Sequence, residues 1–124
     1  MDFDVAVIGG GSAGYASAST AQSLGARVAI VDPGPLGGLC ILRGCMPTKT
    51  ILRSSDIIAL MRRAEEFGIQ PVDPHARLSA INDRKNKLIQ EFTDYRIQQL
   101  KDSRFTLIQE RAEFISPHEI RTGD

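Results

Sequence analysis

Residues 3–32 follow the order strand, glycine turn, helix and strand, and this order constrains the fold more than any other feature of the chain. Residues 3–8 and 27–31 are short apolar runs, typical of strands that are buried on both faces. Residues 12–24 between them are rich in Ala and Ser, which suit a helix packed closely on a sheet. Because such crossovers are right-handed, the two strands are predicted to be parallel, as in a βαβ unit.

The turn between the first strand and the helix contains the pattern G-x-G-x-x-G at Gly9, Gly11 and Gly14. In a chain with 11 glycines this pattern is weak alone, but it leaves a strand and opens a helix, which strengthens it. Gly9 would form the tight turn, Gly11 would let a phosphate approach the backbone, and Gly14 would let helix and strand pack closely. The helix N-terminus would attract the phosphates.

Asp32 ends the second strand, where an acidic side chain can accept hydrogen bonds from ribose hydroxyls. Together with the glycine turn, it predicts a dinucleotide-binding site. The alternative is a glycine-rich turn in a βαβ unit that binds no ligand.

Cys40 and Cys45 are the only two cysteines of the chain. Gly44 and Pro47 predict that Cys45 lies at the start of a helix, a position that lowers the pKa of a thiol. Cys40 is expected in a looser loop, as the exchanging thiol of a redox pair. Lys49, one helical turn after Cys45, would add positive charge near the thiolate.

Two other interpretations of the cysteines stay open. They could be unrelated, buried small hydrophobes. They could also bind a metal, but His75 and His118 are far from the spacing of a four-ligand zinc set, and no metal is predicted. Both histidines are expected to be plain surface residues.

The rest of the chain predicts two helices and three short strands. One helix begins near Pro47 and runs through Met61, and a long helix follows that ends near residues 101–103. Residues 105–109, 112–115 and 119–122 are predicted to be strands in a short β-meander. The buried stripe of the long helix is predicted to consist of Leu78, Ile81, Leu88, Phe92 and Tyr95. With no closing element after this, the domain is predicted to be incomplete.

Charge and hydropathy exclude some classes of function. The chain has 124 residues, one domain or part of one, with 15 basic and 15 acidic residues. This balance predicts no attraction to nucleic acid or to a membrane surface. No apolar run approaches the ~20 residues of a membrane span, and the N-terminus lacks the features of a signal peptide. We therefore expect a cytoplasmic location, where a structural disulfide is uncommon.

The glycine turn, Asp32 and the run Gly38-Leu39-Cys40-Ile41-Leu42-Arg43-Gly44-Cys45-Met46-Pro47-Thr48-Lys49 together resemble the class I pyridine nucleotide–disulfide oxidoreductases. That family includes dihydrolipoamide dehydrogenase, glutathione reductase and mercuric reductase. The resemblance spans essentially the whole chain. It implies a Rossmann-like FAD-binding domain, of which residues 1–124 would be the N-terminal part. The NAD(P)-binding and dimerisation domains would lie outside this chain.

The resemblance also implies roles for individual residues. Cys45 would be the charge-transfer thiol beside the flavin, and Cys40 the interchange thiol that meets the substrate. Lys49 would lie near the flavin N5. Leu39 replaces a threonine of the family pattern, and Leu42 and Arg43 stand where Asn and Val are common. The residues that would contact FAD are Gly9, Gly11, Ser12, Ala13, Gly14, Asp32, Gly38, Leu39, Lys49 and Ala112, with Arg111 beside the last.

By the same resemblance, electrons would pass between NAD(P)H, FAD and a Cys40–Cys45 disulfide. The final partner would be a disulfide or dithiol substrate, as in dihydrolipoamide dehydrogenase, or mercuric ion. The whole enzyme would be a homodimer, and this segment alone would be inactive because the family's distal histidine lies elsewhere. The alternative function is a non-catalytic module that binds a nucleotide or senses thiol redox state.

Overall fold

The computed structural model describes residues 2–123 as an α/β arrangement with a parallel sheet at its centre. A 3-10 turn, Ala64–Phe67, follows the helix Cys45–Arg62. The strands are β1 Val5–Ile8, β2 Val28–Val31, β3 Thr106–Ile108, β4 Ala112–Ser116 and β5 Glu119–Thr122. The helices are α1 Ser12–Ser23, α2 Gly38–Leu42, α3 Cys45–Arg62 and α4 Leu78–Leu100.

The central sheet has the order β1-β2-β3, and both pairings are parallel. Val5 pairs with Val28 and Ile8 with Val31, so the predicted βαβ unit is confirmed. The third strand joins this sheet beside β2, with Ala29 opposite Thr106. Of the three strands expected in the meander, β3 thus belongs to the central sheet. The other two, β4 and β5, form a two-stranded antiparallel hairpin.

The core lies between α1, the sheet and the end of α4. Ala18, Ile30 and Leu100 are fully buried there, and Tyr15 meets Phe105 edge to face with ring centroids 6.1 Å apart. Burial of a side chain such as Ile30 or Leu100 contributes about 1.5–3 kcal/mol each. The small side chain of Ala18 lets α1 approach the sheet, as the Ala- and Ser-rich sequence predicted.

Two burial predictions are wrong. All four residues of β2 are buried, but β1 alternates between half-buried and exposed residues because it is the edge strand of the described sheet. On α4, Leu78, Phe92 and Tyr95 are exposed, although Ile81 and Leu88 are half-buried. The packed end of this helix is its last turn, because Leu100 is buried in the core and Ile97 packs against it.

The cysteine segment also differs from the prediction. Residues 38–42 form the short helix α2 where a loop was expected, since a Gly-Gly pair usually indicates a turn. The next helix, α3, begins at Cys45, so Pro47 lies in its first turn as predicted. The two helices pack against each other and against α4, which fixes the position of the cysteine segment.

Candidate functional site

The glycine turn joins the end of β1 to the N-terminus of α1. The Gly9 N–H donates to the Val31 carbonyl (2.8 Å), and Gly9 has a φ of +97°, which glycine adopts without strain. A methyl group on Gly14 would overlap the Gly9 carbonyl oxygen, so helix and strand approach here as closely as the sequence pattern predicts. The turn has the backbone form of a phosphate-binding loop.

The first turn of α1 offers free hydrogen-bond donors. The first intrahelical bond runs from the Tyr15 N–H to the Gly11 carbonyl (2.9 Å), which leaves the N–H groups of Ser12, Ala13 and Gly14 without an intrahelical acceptor. No acidic side chain lies in this turn, and Gly11 is the N-cap without a capping side chain. The donors and the helix dipole can therefore bind a pyrophosphate.

Asp32 lies directly after β2 and faces the turn. Its Oδ2 accepts a hydrogen bond from the Gly10 N–H (2.6 Å), and its Oδ1 accepts one from the Gly34 N–H (2.8 Å). Each carboxylate oxygen has a second lone pair for a hydroxyl donor such as ribose. The sequence pattern assigned no role to Gly10, although it is buried and contacts the one acidic residue that the pattern requires.

The glycine turn and the cysteine segment touch each other. A methyl group on Gly38 would lie 2.7 Å from the Gly11 Cα, so this close approach requires glycine at position 38. A cavity of ≈ 240 Å³ opens beside this contact. It is lined by Asp32, Pro35, Gly38, Leu39, Leu42 and Arg43. The fold thus brings Asp32, the glycine turn and residues 38–39 into one site.

Cys40 and Cys45 lie at the junction of α2 and α3. Cys40 is the third residue of α2, which corrects the expected loop, and Cys45 is the first residue of α3, as predicted. A methyl group on Gly44 would lie 3.0 Å from the Leu39 carbonyl oxygen and 3.4 Å from the Cys40 Cα. Both cysteines are free thiols, Cys40 half-buried and Cys45 exposed.

The two thiols interact. Hydrogen bonding with the Cys45 sulfur, followed by partial burial, raises the pKa of the Cys40 thiol above its usual value. The Cys45 backbone N–H and the positive charge of Lys49 act in the opposite direction and lower the pKa of Cys40. The charge of Lys49, an exposed residue of α3, therefore acts on Cys40.

The remaining predicted residues are less closely joined to the site. Leu39 is 75% exposed on α2, where it lines the cavity beside Asp32. Ala112 is the first residue of β4, paired with Thr122. It does not line that cavity. His75 and His118 are both exposed, as expected of surface histidines.

The arrangement joins a phosphate-binding turn to a dithiol. Within residues 2–123, no three His, Cys, Asp or Glu side chains lie close enough to hold a metal ion. In the same part of the chain, none of the helices combines the length and the apolar character needed to cross a membrane. The described residues thus offer free N–H donors at a helix N-terminus close to a segment with two free thiols.

Residues 3–123 match the family model described as pyridine nucleotide-disulphide oxidoreductase. A dihydrolipoyl dehydrogenase of Chlamydia muridarum is 33% identical over 119 residues, which cover 96% of this chain and 26% of that protein. A mercuric reductase of Lysinibacillus sphaericus is 34% identical over 115 residues, which cover 92% of this chain and 21% of that protein.

A solved structure supports the same relationship. The Cu(II) complex of the HOCl-induced flavoprotein disulfide reductase RclA from Escherichia coli matches 94% of this chain and 24% of its own, with a TM-score of 0.73 and 28% identity. The chain thus spans about a fifth to a quarter of the length of these relatives.

Proposed function

Because the chain belongs to the class I pyridine nucleotide-disulphide oxidoreductase family, we propose that it supplies the FAD site and the redox dithiol of a flavin-dependent NAD(P)H:disulfide oxidoreductase. The observation that carries this proposal is the backbone contact between Gly11 of the glycine turn and Gly38 of the cysteine segment. It supports the proposal because the turn proposed to bind the dinucleotide contacts the segment that carries the two thiols.

The residues of the turn fit the FAD pyrophosphate. Gly11 presents open space in which an added methyl would meet only the Gly38 Cα, at 3.8 Å, so a phosphate can approach the backbone. The free N–H groups of Ser12, Ala13 and Gly14 would hold its oxygens, and Asp32 would accept hydrogen bonds from the ribose. When bound, FAD supplies hydride and electron transfer between nicotinamide and thiols.

The cysteines would exchange with the substrate by two displacements. The Cys40 thiolate attacks one sulfur of a substrate disulfide, and the first substrate thiolate leaves and takes up a proton. The Cys45 thiolate then attacks the Cys40 sulfur, the second substrate thiol leaves, and a Cys40–Cys45 disulfide remains. The substrate is reduced and the protein oxidised, and the reverse sequence oxidises a dithiol. Lys49 stabilises the thiolates by its charge.

The input of electrons and the assembly are parts of the same proposal. NAD(P)H would be the co-substrate, bound by a domain that these 124 residues do not include. The whole enzyme would be a homodimer in the cytoplasm, and residues 1–124 alone would be inactive. The family relationship supports each of these points.

The substrate class follows from the relatives. Proteins named dihydrolipoyl dehydrogenase and mercuric reductase match this chain at similar identity, 33% and 34%. We therefore propose a small or protein-bound disulfide or dithiol, of which lipoamide is the first candidate, with mercuric ion as the second.

Purification of the intact protein with its visible spectrum tests the proposal. We expect bound flavin and, after reduction by two electrons, a long-wavelength charge-transfer band. The oxidation of NADH and of NADPH should then be measured with lipoamide, glutathione disulfide and mercuric ion as the substrate in turn. A purified protein that neither contains flavin nor binds added FAD would refute the proposal.

A further inference from the structure

A groove of ≈ 490 Å³ lies between the second half of α3 and the start of α4. Its volume is within the range of small-molecule sites. Arg53 is the lining residue nearest to Cys45 in the sequence, and eight helical positions separate the two by about 12 Å. No residue of the glycine turn, the cysteine segment or the cavity beside Asp32 lines this groove. It is therefore distinct from the sites proposed for FAD and for thiol exchange.

Three arginines line the groove, and no carboxylate does. Arg53 belongs to α3, Arg77 is the N-cap of α4, and Arg84 lies two turns further along α4. Within residues 2–123, none of the three forms an ion pair. Arg84 is held in place because its Nη1 donates a hydrogen bond to the Thr50 carbonyl (3.2 Å). The groove thus carries positive charge that the described residues do not neutralise.

The N-terminus of α4 adds hydrogen-bond donors beside these arginines. The first intrahelical bond runs from the Ile81 N–H to the Arg77 carbonyl (3.1 Å), so the three N–H groups before Ile81 have no intrahelical acceptor. No acidic side chain lies in this first turn, and Arg77 provides no capping hydrogen bond. The helix dipole therefore acts in the same direction as the arginines and favours an anion.

Most of the remaining lining is apolar. It includes Ile57, Ile58, Met61, Pro74, Ala80 and Ile81. An inorganic anion would leave this apolar surface in water, and a neutral hydrocarbon would leave the arginines without a partner. A guanidinium binds a carboxylate through paired hydrogen bonds, and an alkyl chain removes apolar surface from water. One molecule that has both groups would satisfy the whole lining.

We propose that this groove binds an amphipathic carboxylate, a small molecule with an alkyl chain and an ionised carboxyl group. Arg53, Arg77 and Arg84 would bind the carboxylate, and the apolar side chains of α3 and α4 would cover the chain. The inference goes beyond the proposed function, because this ligand binds without being oxidised or reduced and needs neither the flavin nor the dithiol.

Isothermal titration calorimetry of the intact protein tests the proposal with octanoate and 1-octanol, which have the same chain length and differ in charge. We expect octanoate to bind with a Kd at least about tenfold lower than that of 1-octanol. Arg53→Gln and Arg77→Gln should each raise the Kd for octanoate by about threefold, because each removes one charge at an exposed site. The double variant should raise it by about tenfold.

Two further variants locate the binding. Lys87→Gln is the matched control, since Lys87 is an exposed cation of α4 that does not line the groove, and it should leave the Kd for octanoate unchanged. Ala80→Phe places a large side chain at an exposed position of the lining and should abolish the binding of octanoate. Thermal unfolding and flavin content are measured on the same samples.

Four results would overturn the proposal. Octanoate could fail to bind at millimolar concentration, or it could bind no more tightly than 1-octanol. Lys87→Gln could weaken binding as much as Arg53→Gln and Arg77→Gln do, which would indicate a general field. A folded Ala80→Phe protein could also bind octanoate as the parent does, which would place the ligand elsewhere. A protein without flavin that shows the expected pattern would refute the proposed function and leave this inference standing.

Discussion

Gly11 and Gly14 lie three positions apart in the same turn, but an added methyl group would meet different surroundings at each. At Gly14 it would overlap the Gly9 carbonyl oxygen, a backbone atom that cannot move away cheaply. We expect Gly14→Ala to lower the free energy of unfolding by about 3 kcal/mol or to prevent folding. Thermal unfolding of the apoprotein measures this, and a loss of less than about 0.5 kcal/mol would contradict the geometry.

Gly11→Ala should separate binding from stability. The new methyl group meets only the Gly38 Cα at 3.8 Å, and the φ of −70° at Gly11 suits alanine. The apoprotein should unfold within about 0.5 kcal/mol of the parent, while the Kd for FAD rises by about tenfold or more because the methyl occupies the phosphate approach. Flavin titration measures the second effect, and unchanged affinity would mean that the phosphate lies elsewhere.

The pKa of Cys40 should respond in opposite directions to two substitutions. Cys45→Ala removes the largest cause of the raised pKa and keeps the backbone N–H that lowers it, so the pKa of Cys40 should fall. Lys49→Gln removes a charge that lowers this pKa, which should therefore rise. At pH 8, alkylation of Cys40 by iodoacetamide should be at least about twofold faster in Cys45→Ala and slower in Lys49→Gln.

Peptide mass spectrometry across a pH series gives these alkylation rates for Cys40 alone. Cys40 of the parent should react mainly above the pH at which an ordinary thiol ionises, because its pKa is raised. Equal pH profiles in all three proteins would show that Cys45 and Lys49 do not act on Cys40.

At the scale of elements, α2 depends on its contact with the glycine turn. Gly38→Ala adds a methyl group 2.7 Å from the Gly11 Cα at a φ of +75°, so it suffers both a clash and backbone strain. Gly68→Ala is the matched control, with a φ of +72° and open space around the new methyl group. We expect losses of about 3 kcal/mol and about 1 kcal/mol respectively. Chemical denaturation measures both losses of stability, and equal losses would contradict a clash at Gly38.

Much of this element order could be predicted from the sequence, and the exceptions have physical reasons. The glycine turn, Asp32 and the start of α3 rest on local patterns, so the strand–helix–strand unit and the position of Cys45 were predictable. The short helix α2 was missed because its stability comes from packing on Gly11 and α3, not from helix propensity. The pairing of β3 with β2 joins strands far apart in the sequence, which no local pattern specifies.

The residues of the candidate site were likewise predictable from the sequence only in part. The sequence predicted roles for the turn, the dithiol and Lys49 from their residue types and spacing. It assigned no role to Gly10, whose N–H donates a hydrogen bond to Asp32.

For the molecule as a whole, the exposed apolar surface distinguishes a self-standing module from part of a larger assembly. Leu24, Leu78 and Phe114 are each at least 70% exposed, and β1 is an edge strand with Ile8 exposed. Such surface favours association. Residues 1–124 produced alone should therefore bind 8-anilinonaphthalene-1-sulfonate and self-associate in size-exclusion chromatography. A monomer that unfolds cooperatively and binds no dye would support the alternative of a self-standing nucleotide-binding or thiol-sensing module.

The central claim is that the two cysteines have different roles beside a bound flavin. The most direct measurement is the visible spectrum of the intact flavoprotein during anaerobic reduction, for the parent, Cys40→Ser and Cys45→Ser. We expect the long-wavelength charge-transfer band to appear on two-electron reduction of the parent, to persist in Cys40→Ser and to be lost in Cys45→Ser. A band that survives in Cys45→Ser, or that disappears only in Cys40→Ser, would contradict these roles of the two cysteines.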